Sequence, residues 1–269
     1  MVVKDRHSAR DIWLKHSQAH HLLHVVVPEL ERVGVAPLLV KGVALGSTLY
    51  ADPSERPISD VDLRVAPEDM AQVRFVVRDL NWPIHNEYAR YGSICIDLGG
   101  LQVDIESHIG PPGLCRLPVR DLRRRAQRQT IGRTAVLVPE LTDHALVVVV
   151  NLFKDKVVDS MPWARADLAR VLDHPSFDEA AFISRARHYN MTLMARVVLE
   201  HLPEQSARMR RLAAAMPVPA WYPLYARVYA AALKEPKSAA ARVVARLGSD
   251  APEDWPRALV LAALVASDT

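Results

Sequence analysis

Asp60-Val61-Asp62-Leu63 sets two carboxylates two residues apart in a run of alternating polarity. A strand of that period turns both acids to one face and Val61 and Leu63 to the other. Two carboxylates side by side repel each other unless a cation sits between them, and hard oxygen donors of this kind suit Mg²⁺. A third acid lies in Leu101-Gln102-Val103-Asp104-Ile105-Glu106, which alternates in the same way. Three carboxylates on adjacent strands can hold two divalent ions, an arrangement that stabilises attacking and leaving oxygens together during in-line displacement at phosphorus. Asp97 is a rival third acid, but it sits on the other arm of a hairpin near the turn, so Asp104 is preferred.

The elements that must position these acids begin upstream. Pro37-Leu38-Leu39-Val40 is a short apolar run that reads as a buried strand, followed by Lys41-Gly42. The stretch from Val43 to Tyr50 then has apolar residues at helical spacing. This places Gly46 and Ser47 at the start of a helix or in its first turns. A glycine there admits a bulky anion close to the backbone, and helix N-terminal N–H groups suit phosphate. A loop with two prolines and Arg56 leads from Ala51 to the aspartate strand.

Leu45-Gly46-Ser47, twelve further residues and then Asp60-Val61-Asp62-Leu63 resemble the signature of the polymerase-β-type nucleotidyltransferase superfamily, whose third carboxylate maps onto Asp104. More narrowly, Lys41-Gly42, Tyr50, Asp52-Pro53, Arg56, the aspartate pair and Val103-Asp104-Ile105-Glu106-Ser107-His108 are similar to a bacterial subfamily of nucleotidyltransferase family proteins. The likeness covers roughly residues 30 to 172 and departs in its third motif, where Glu106 stands in the place of a frequent histidine and His108 comes two later. The resemblance implies transfer of a nucleoside monophosphate from an NTP, with ATP the expected donor, to a hydroxyl or similar acceptor, releasing pyrophosphate. It implies Asp60, Asp62 and Asp104 as catalytic metal ligands for two Mg²⁺ ions. Gly46 and Ser47 would bind the phosphates, with Lys41 and Arg56 in electrostatic support. The acceptor would be a small molecule or a protein. The competing class is a non-catalytic NTP-binding regulatory module or an antitoxin-like partner-binding protein.

Along the rest of the chain, residues 8 to 33 read as an amphipathic helix with an apolar stripe of Ile12, Leu22, Leu23, Val26, Val27 and Leu30, stopped by Gly34. His16, His20 and His24 share one face of it, read as solvated because no carboxylate is placed to orient the imidazoles. A helix is expected from Pro67 through Leu80. Ser93 to Leu98 and Leu101 to Ser107 read as strands joined by a two-residue turn at Gly99-Gly100. Leu117 to Gln129 reads as a basic helix whose Arg120, Arg124 and Arg128 line up at i, i+4 and i+8. That face fits either triphosphate or solvent. Thr134 to Val138 is a last short strand. From Pro139 onward only helices are expected, the first an apolar one over 140 to 158, bearing His144, Asn151 and Lys154 as polar groups that could reach a cleft or be satisfied within the fold. The Trp221-Tyr222, Tyr225 and Tyr229 stripe reads as core packing.

The 269 residues, half of them apolar, allow two domains, expected at 1–138 and 139–269. The expected architecture is an α/β (α+β) nucleotidyltransferase domain with a mixed sheet of about five strands, followed by an all-α helical domain walling one side of the cleft. A net charge of +3 gives little support for a nucleic-acid partner. Only Cys95 and Cys115 are present, without a CxxC pattern, and no apolar run approaches the roughly 20 residues of a membrane span. A cytoplasmic protein is expected.

Overall fold

The computed structural model describes residues 8–155, 162–235 and 238–266. The chain divides into two compact units. The first holds the described part of Met1–His108 together with Val119–Glu140, and the second holds Ile109–Pro118 and the described residues from Leu141 onward.

The first unit runs α1 (Ala9–Arg32), β1 (Leu38–Val40), α2 (Lys41–Thr48), β2 (Asp60–Arg64), α3 (Met70–Asp79), β3 (Ile84–Tyr88), β4 (Ser93–Asp97), β5 (Gln102–Glu106), α4 (Val119–Arg125), β6 (Gln127–Ile131) and β7 (Thr134–Val138). The strands form one mixed seven-stranded sheet in the order β3-β4-β5-β2-β1-β7-β6. β2 runs parallel to β5 and β1 parallel to β7, and the other neighbours are antiparallel.

Alternation along the central strands explains why this sheet has one dry face. Val61 and Leu63 of β2, Val103 and Ile105 of β5 and Ile94 and Ile96 of β4 point into a core shared with Leu23, Val26 and Leu30 of α1 and Val73, Val76 and Val77 of α3. Burying one such side chain stabilises the fold by about 1.5–3 kcal/mol. Slipping β2 by one residue would turn Val61 and Leu63 outward and Asp60 and Asp62 inward, so the apolar face locks the register that aligns the acids on the other. α1 begins on a capping box in which Ser8 and Asp11 bond each other's backbone N–H, and its apolar stripe is buried as the sequence predicts.

Three expectations need correction. The sheet has seven strands rather than about five, because β3 and β6 pair along its two edges with few apolar residues to announce them. The basic helix over 117–129 ends at Arg125, and Arg128 lies on β6. Its arginines meet acids of the same unit: Arg120 pairs with Glu68, Arg123 with Asp69, Arg124 with Asp121 and Arg128 with Glu31. The hairpin loop spans four residues, since the last ladder pair is Asp97↔Gln102. Both of its glycines take positive φ, 105° and 89°, as a reversal this tight requires.

The second unit is helical: α5 (Leu141–Lys154), α6 (Pro162–Asp173), α7 (Glu179–His188), α8 (Thr192–His201), α9 (Ala207–Ala215), α10 (Tyr222–Lys234), α11 (Ala239–Val244) and α12 (Trp255–Ala266). The expected continuation of α5 to residue 158 lies partly outside the described residues. Tyr229 stacks on Phe153 at 5.4 Å and on Tyr225 at 6.3 Å, so the aromatic stripe is core. His144 is buried in this unit. The strap Ile109–Pro118 joins it, and not residues 1–138, because its contacts lie there. Arg116 pairs with Glu253 and Asp254, Gly113 backs onto Ala258, and Leu114 packs against Gly248. Among the described residues no helix is long and apolar enough to cross a membrane.

Candidate functional site

The polar face of β2 and β5 carries the chemistry. In the parallel register Asp62 lies beside Asp104, with Asp60 one step along beside Gln102. Asp60, Asp62 and Asp104 offer carboxylate oxygens that all lie within 4.8 Å of one another. Such a set of hard donors, two of them on one strand and the third in register beside it, fits a small divalent cation. Burial and the neighbouring Asp62 carboxylate push Asp60 up to about 6. Burial likewise raises Asp104, against a hydrogen bond from the Cys95 thiol that favours its charged form. Cys95 is its partner across the β4–β5 ladder.

Two cations of the chain already answer part of this charge. β1 pairs Val40 with Asp62, and at Lys41 the backbone turns sharply with φ of 57° into α2. That turn brings the Lys41 ammonium to 2.6 Å from Asp62 Oδ1. Burial works to lower Lys41, but the Asp62 carboxylate beside it leaves it raised overall. On the other side Arg64 Nη2 lies 3.5 Å from the same Asp62 oxygen and bonds Glu106 closely. The sequence reading gives neither Arg64 nor Glu106 a role beside the acids, although the period of two that aligns Asp60 with Asp62 and finds Asp104 places both on the same face. The acids therefore coexist by ion pairing as well as through any bound metal, which weakens the inference from repulsion alone.

Gly46 and Ser47 fall elsewhere than expected. The first turn of α2 is Lys41–Ala44, and Gly46 and Ser47 occupy its last turn. The first-turn N–H groups suited to phosphate thus belong to Lys41, Gly42 and Val43, where the N-cap Val40 supplies no side-chain hydrogen bond. Lys41-Gly42 interrupts the apolar run, so helical spacing is read only from Val43 onward, and a lysine at positive φ opening a helix is not a readable turn signal.

Both glycines of α2 are also points of close approach. A Cβ on Gly42 would come within 2.7 Å of Arg56 Nη1, and one on Gly46 within 2.7 Å of His16 Cε1. An interior helical glycine costs about 1 kcal/mol against alanine, so each must be offset by the group it admits. Arg56 is buried, with its guanidinium against the first turn of α2 and bonded closely to the Pro57 carbonyl. Contrary to the solvated reading, His16 is buried too, with Nε2 2.9 Å from the Arg56 carbonyl oxygen. His20 is half-buried, 3.5 Å from Ser47 Oγ, and only His24 of the three is exposed. Asp97 is occupied in its turn, accepting the N–H groups of Gly99 and Gly100 at 3.1 and 3.0 Å. The Ser107 hydroxyl and His108 Nδ1 bond each other at 2.9 Å.

A family model described as "Uncharacterised nucleotidyltransferase" matches residues 5–204. Among solved structures, the antibiotic-resistance factor ANT(2'')-Ia shares 16% identity and a TM-score of 0.46, over 64% of this chain and 95% of that one. An antigenic nucleotidyltransferase-like protein from Paracoccidioides brasiliensis shares 13% identity at a TM-score of 0.38, over 58% of this chain and 76% of its own. No curated protein matches significantly by sequence.

Proposed function

The chain belongs to the uncharacterised nucleotidyltransferase family, and on that premise we propose that it transfers a nucleoside monophosphate from an NTP to an acceptor, with ATP as the donor. The acceptor is a hydroxyl or similar nucleophile on a small molecule or a protein. Its oxygen attacks the α-phosphorus, the bond from that phosphorus to the bridging oxygen breaks, and pyrophosphate leaves. The observation that carries this reading is the cluster of three carboxylates on adjacent, in-register strands.

Asp60, Asp62 and Asp104 would hold two Mg²⁺ ions, which when bound neutralise charge on the attacking and leaving oxygens. Asp104 stands beside the pair and is the group proposed to take the acceptor proton. Lys41, bonded to Asp62, is within reach of the same region and can exchange its carboxylate partner for a phosphate oxygen. The triphosphate end is proposed at the first turn of α2, with Lys41, Gly42 and Arg56, rather than at Gly46 and Ser47. Incubating the protein with each labelled NTP and lysate, then weighing whatever gains a nucleotide, tests the reading and identifies the acceptor. A non-catalytic NTP-binding module is the second reading, favoured by the ion pairs of Lys41 and Arg64 that balance Asp62 without a metal. Under that alternative the NTP binds and nothing in the lysate gains mass.

The metal site carries its own pH signature. In the cation-free protein Asp60 keeps its proton up to about pH 6. A divalent ion needs the carboxylate ionised, so below that pH each further unit should weaken binding about tenfold, while above about pH 7 affinity should level off. Calorimetric titration with Mn²⁺ at a series of pH values measures this. Affinity that stays flat from about pH 5 to 8 would remove Asp60 from the ligand set.

A further inference from the structure

His16 belongs to α1, yet its imidazole reaches the loop before β2 and touches α2. A carbonyl oxygen can only accept, so Nε2 donates to Arg56 O, and in the neutral ring Nδ1 is then the unprotonated nitrogen. Nδ1 is buried with no hydrogen-bond partner. Burial holds His16 below its ordinary pKa, which fits a ring that stays neutral and keeps this one tautomer. Gly46 is the opening through which the ring approaches, since any Cβ there would meet Cε1 at 2.7 Å.

Arg56 is therefore gripped at both ends. Its carbonyl is held by His16, and its guanidinium lies against Gly42, four residues before Gly46 on the same face of α2. The 3-10 turn Pro53–Glu55 that precedes it packs on α1. A long, flexible arginine is useful to a phosphate in proportion to how firmly it is preset, because ordering it at the moment of binding subtracts from affinity. Resting on the nucleotide-transfer reading above, we infer that His16 is a positioning residue: through the Arg56 carbonyl it fixes the loop that holds the Arg56 guanidinium against the first turn of α2, where the triphosphate end is proposed. This gives the N-terminal helix a task in nucleotide recognition and assigns the Gly46 signature position to receiving an imidazole.

The test uses the full chain, calorimetry with the Mg²⁺ complexes of ATP, GTP, CTP and UTP, and Mn²⁺ alone. His16→Leu should weaken binding of the preferred nucleotide about tenfold while leaving the Mn²⁺ affinity unchanged. His16→Gln, whose amide N–H can reach the same carbonyl, should recover most of that loss. Amide exchange at Glu55 and Arg56 should quicken in His16→Leu and not in His16→Gln. In an Arg56→Met background His16→Leu should add no further loss, since the two act as one unit. If His16→Leu does not fold, Gly46→Ala, whose methyl meets the imidazole, takes its place with the same expected loss. Unaltered nucleotide affinity in these variants, or losses that simply add in the double variant, would overturn the assignment while leaving nucleotide transfer intact. A parent chain that binds none of the four nucleotides sinks the transfer reading itself and His16 with it.

Discussion

Asp104→Ala keeps Mg-nucleotide affinity within about threefold of the parent and loses about a thousandfold or more in transfer rate, the pattern of an interaction made mainly in the transition state. In the proposed two-metal arrangement the ion nearer the nucleotide would be held by Asp60, Asp62 and the triphosphate oxygens, whereas the ion that activates the acceptor would lean on the third carboxylate. Asp104 stands in register with Asp62 and opposite Cys95, so its removal takes one carboxylate from the cluster and leaves the β2 pair in place. Asp97→Ala is the parallel control. Its carboxylate accepts two N–H groups of the glycine turn, so its loss should cost about 1 kcal/mol of stability and little transfer. Single-turnover transfer beside equilibrium binding decides the matter. Transfer abolished by Asp97→Ala and spared by Asp104→Ala would move the third ligand to the other arm of the hairpin.

The two acids of β2 should separate on stability although both are proposed metal ligands. Asp60→Asn removes a charge that its surroundings already disfavour, so the cation-free protein should unfold at the same or slightly higher denaturant. Asp62 is different. It is buried between Lys41 Nζ at 2.6 Å and Arg64 Nη2 at 3.5 Å, and Arg64 is itself buried. Neutralising it strands part of that positive charge, and breaking a buried pair from one side costs about 3–5 kcal/mol. Asp62→Asn should therefore be markedly less stable in EDTA, and both variants should lose Mn²⁺ binding. Urea unfolding without metal measures the first effect and calorimetry the second. Equal stability of the two variants would mean that Lys41 and Arg64 find other partners at no cost.

What could be read from the residues follows how local each signal is. The acids and the dry face were legible because alternation is a property of five consecutive residues, and Asp60, Asp62 and Asp104 are brought together as the pattern implies. The edge strands were not. Ile84–Tyr88 is half polar, and Gln127–Ile131 follows arginines spaced like a helix face, so their strand character comes from the neighbour each pairs with. The histidine face misled for a related reason. Spacing of four says that His16, His20 and His24 share a side of α1, but what covers that side is set by Arg56 and Gly46, far along the chain. The first turn of α2 hid behind a lysine in a backbone conformation usually left to glycine or asparagine.

The strap Ile109–Pro118 has a consequence for how the chain is made. Emerging from the ribosome, the seven strands are complete once Val138 is free, and the sheet can close while synthesis continues. The strap sits between β5 and α4 in that early stretch, but Leu114 packs against Gly248 and Gly113 against Ala258, which appear far later. At about 5–20 residues per second the apolar strap waits on the order of ten seconds for its partners. During that interval Leu114, buried in the finished fold, lacks the cover that Gly248 gives it.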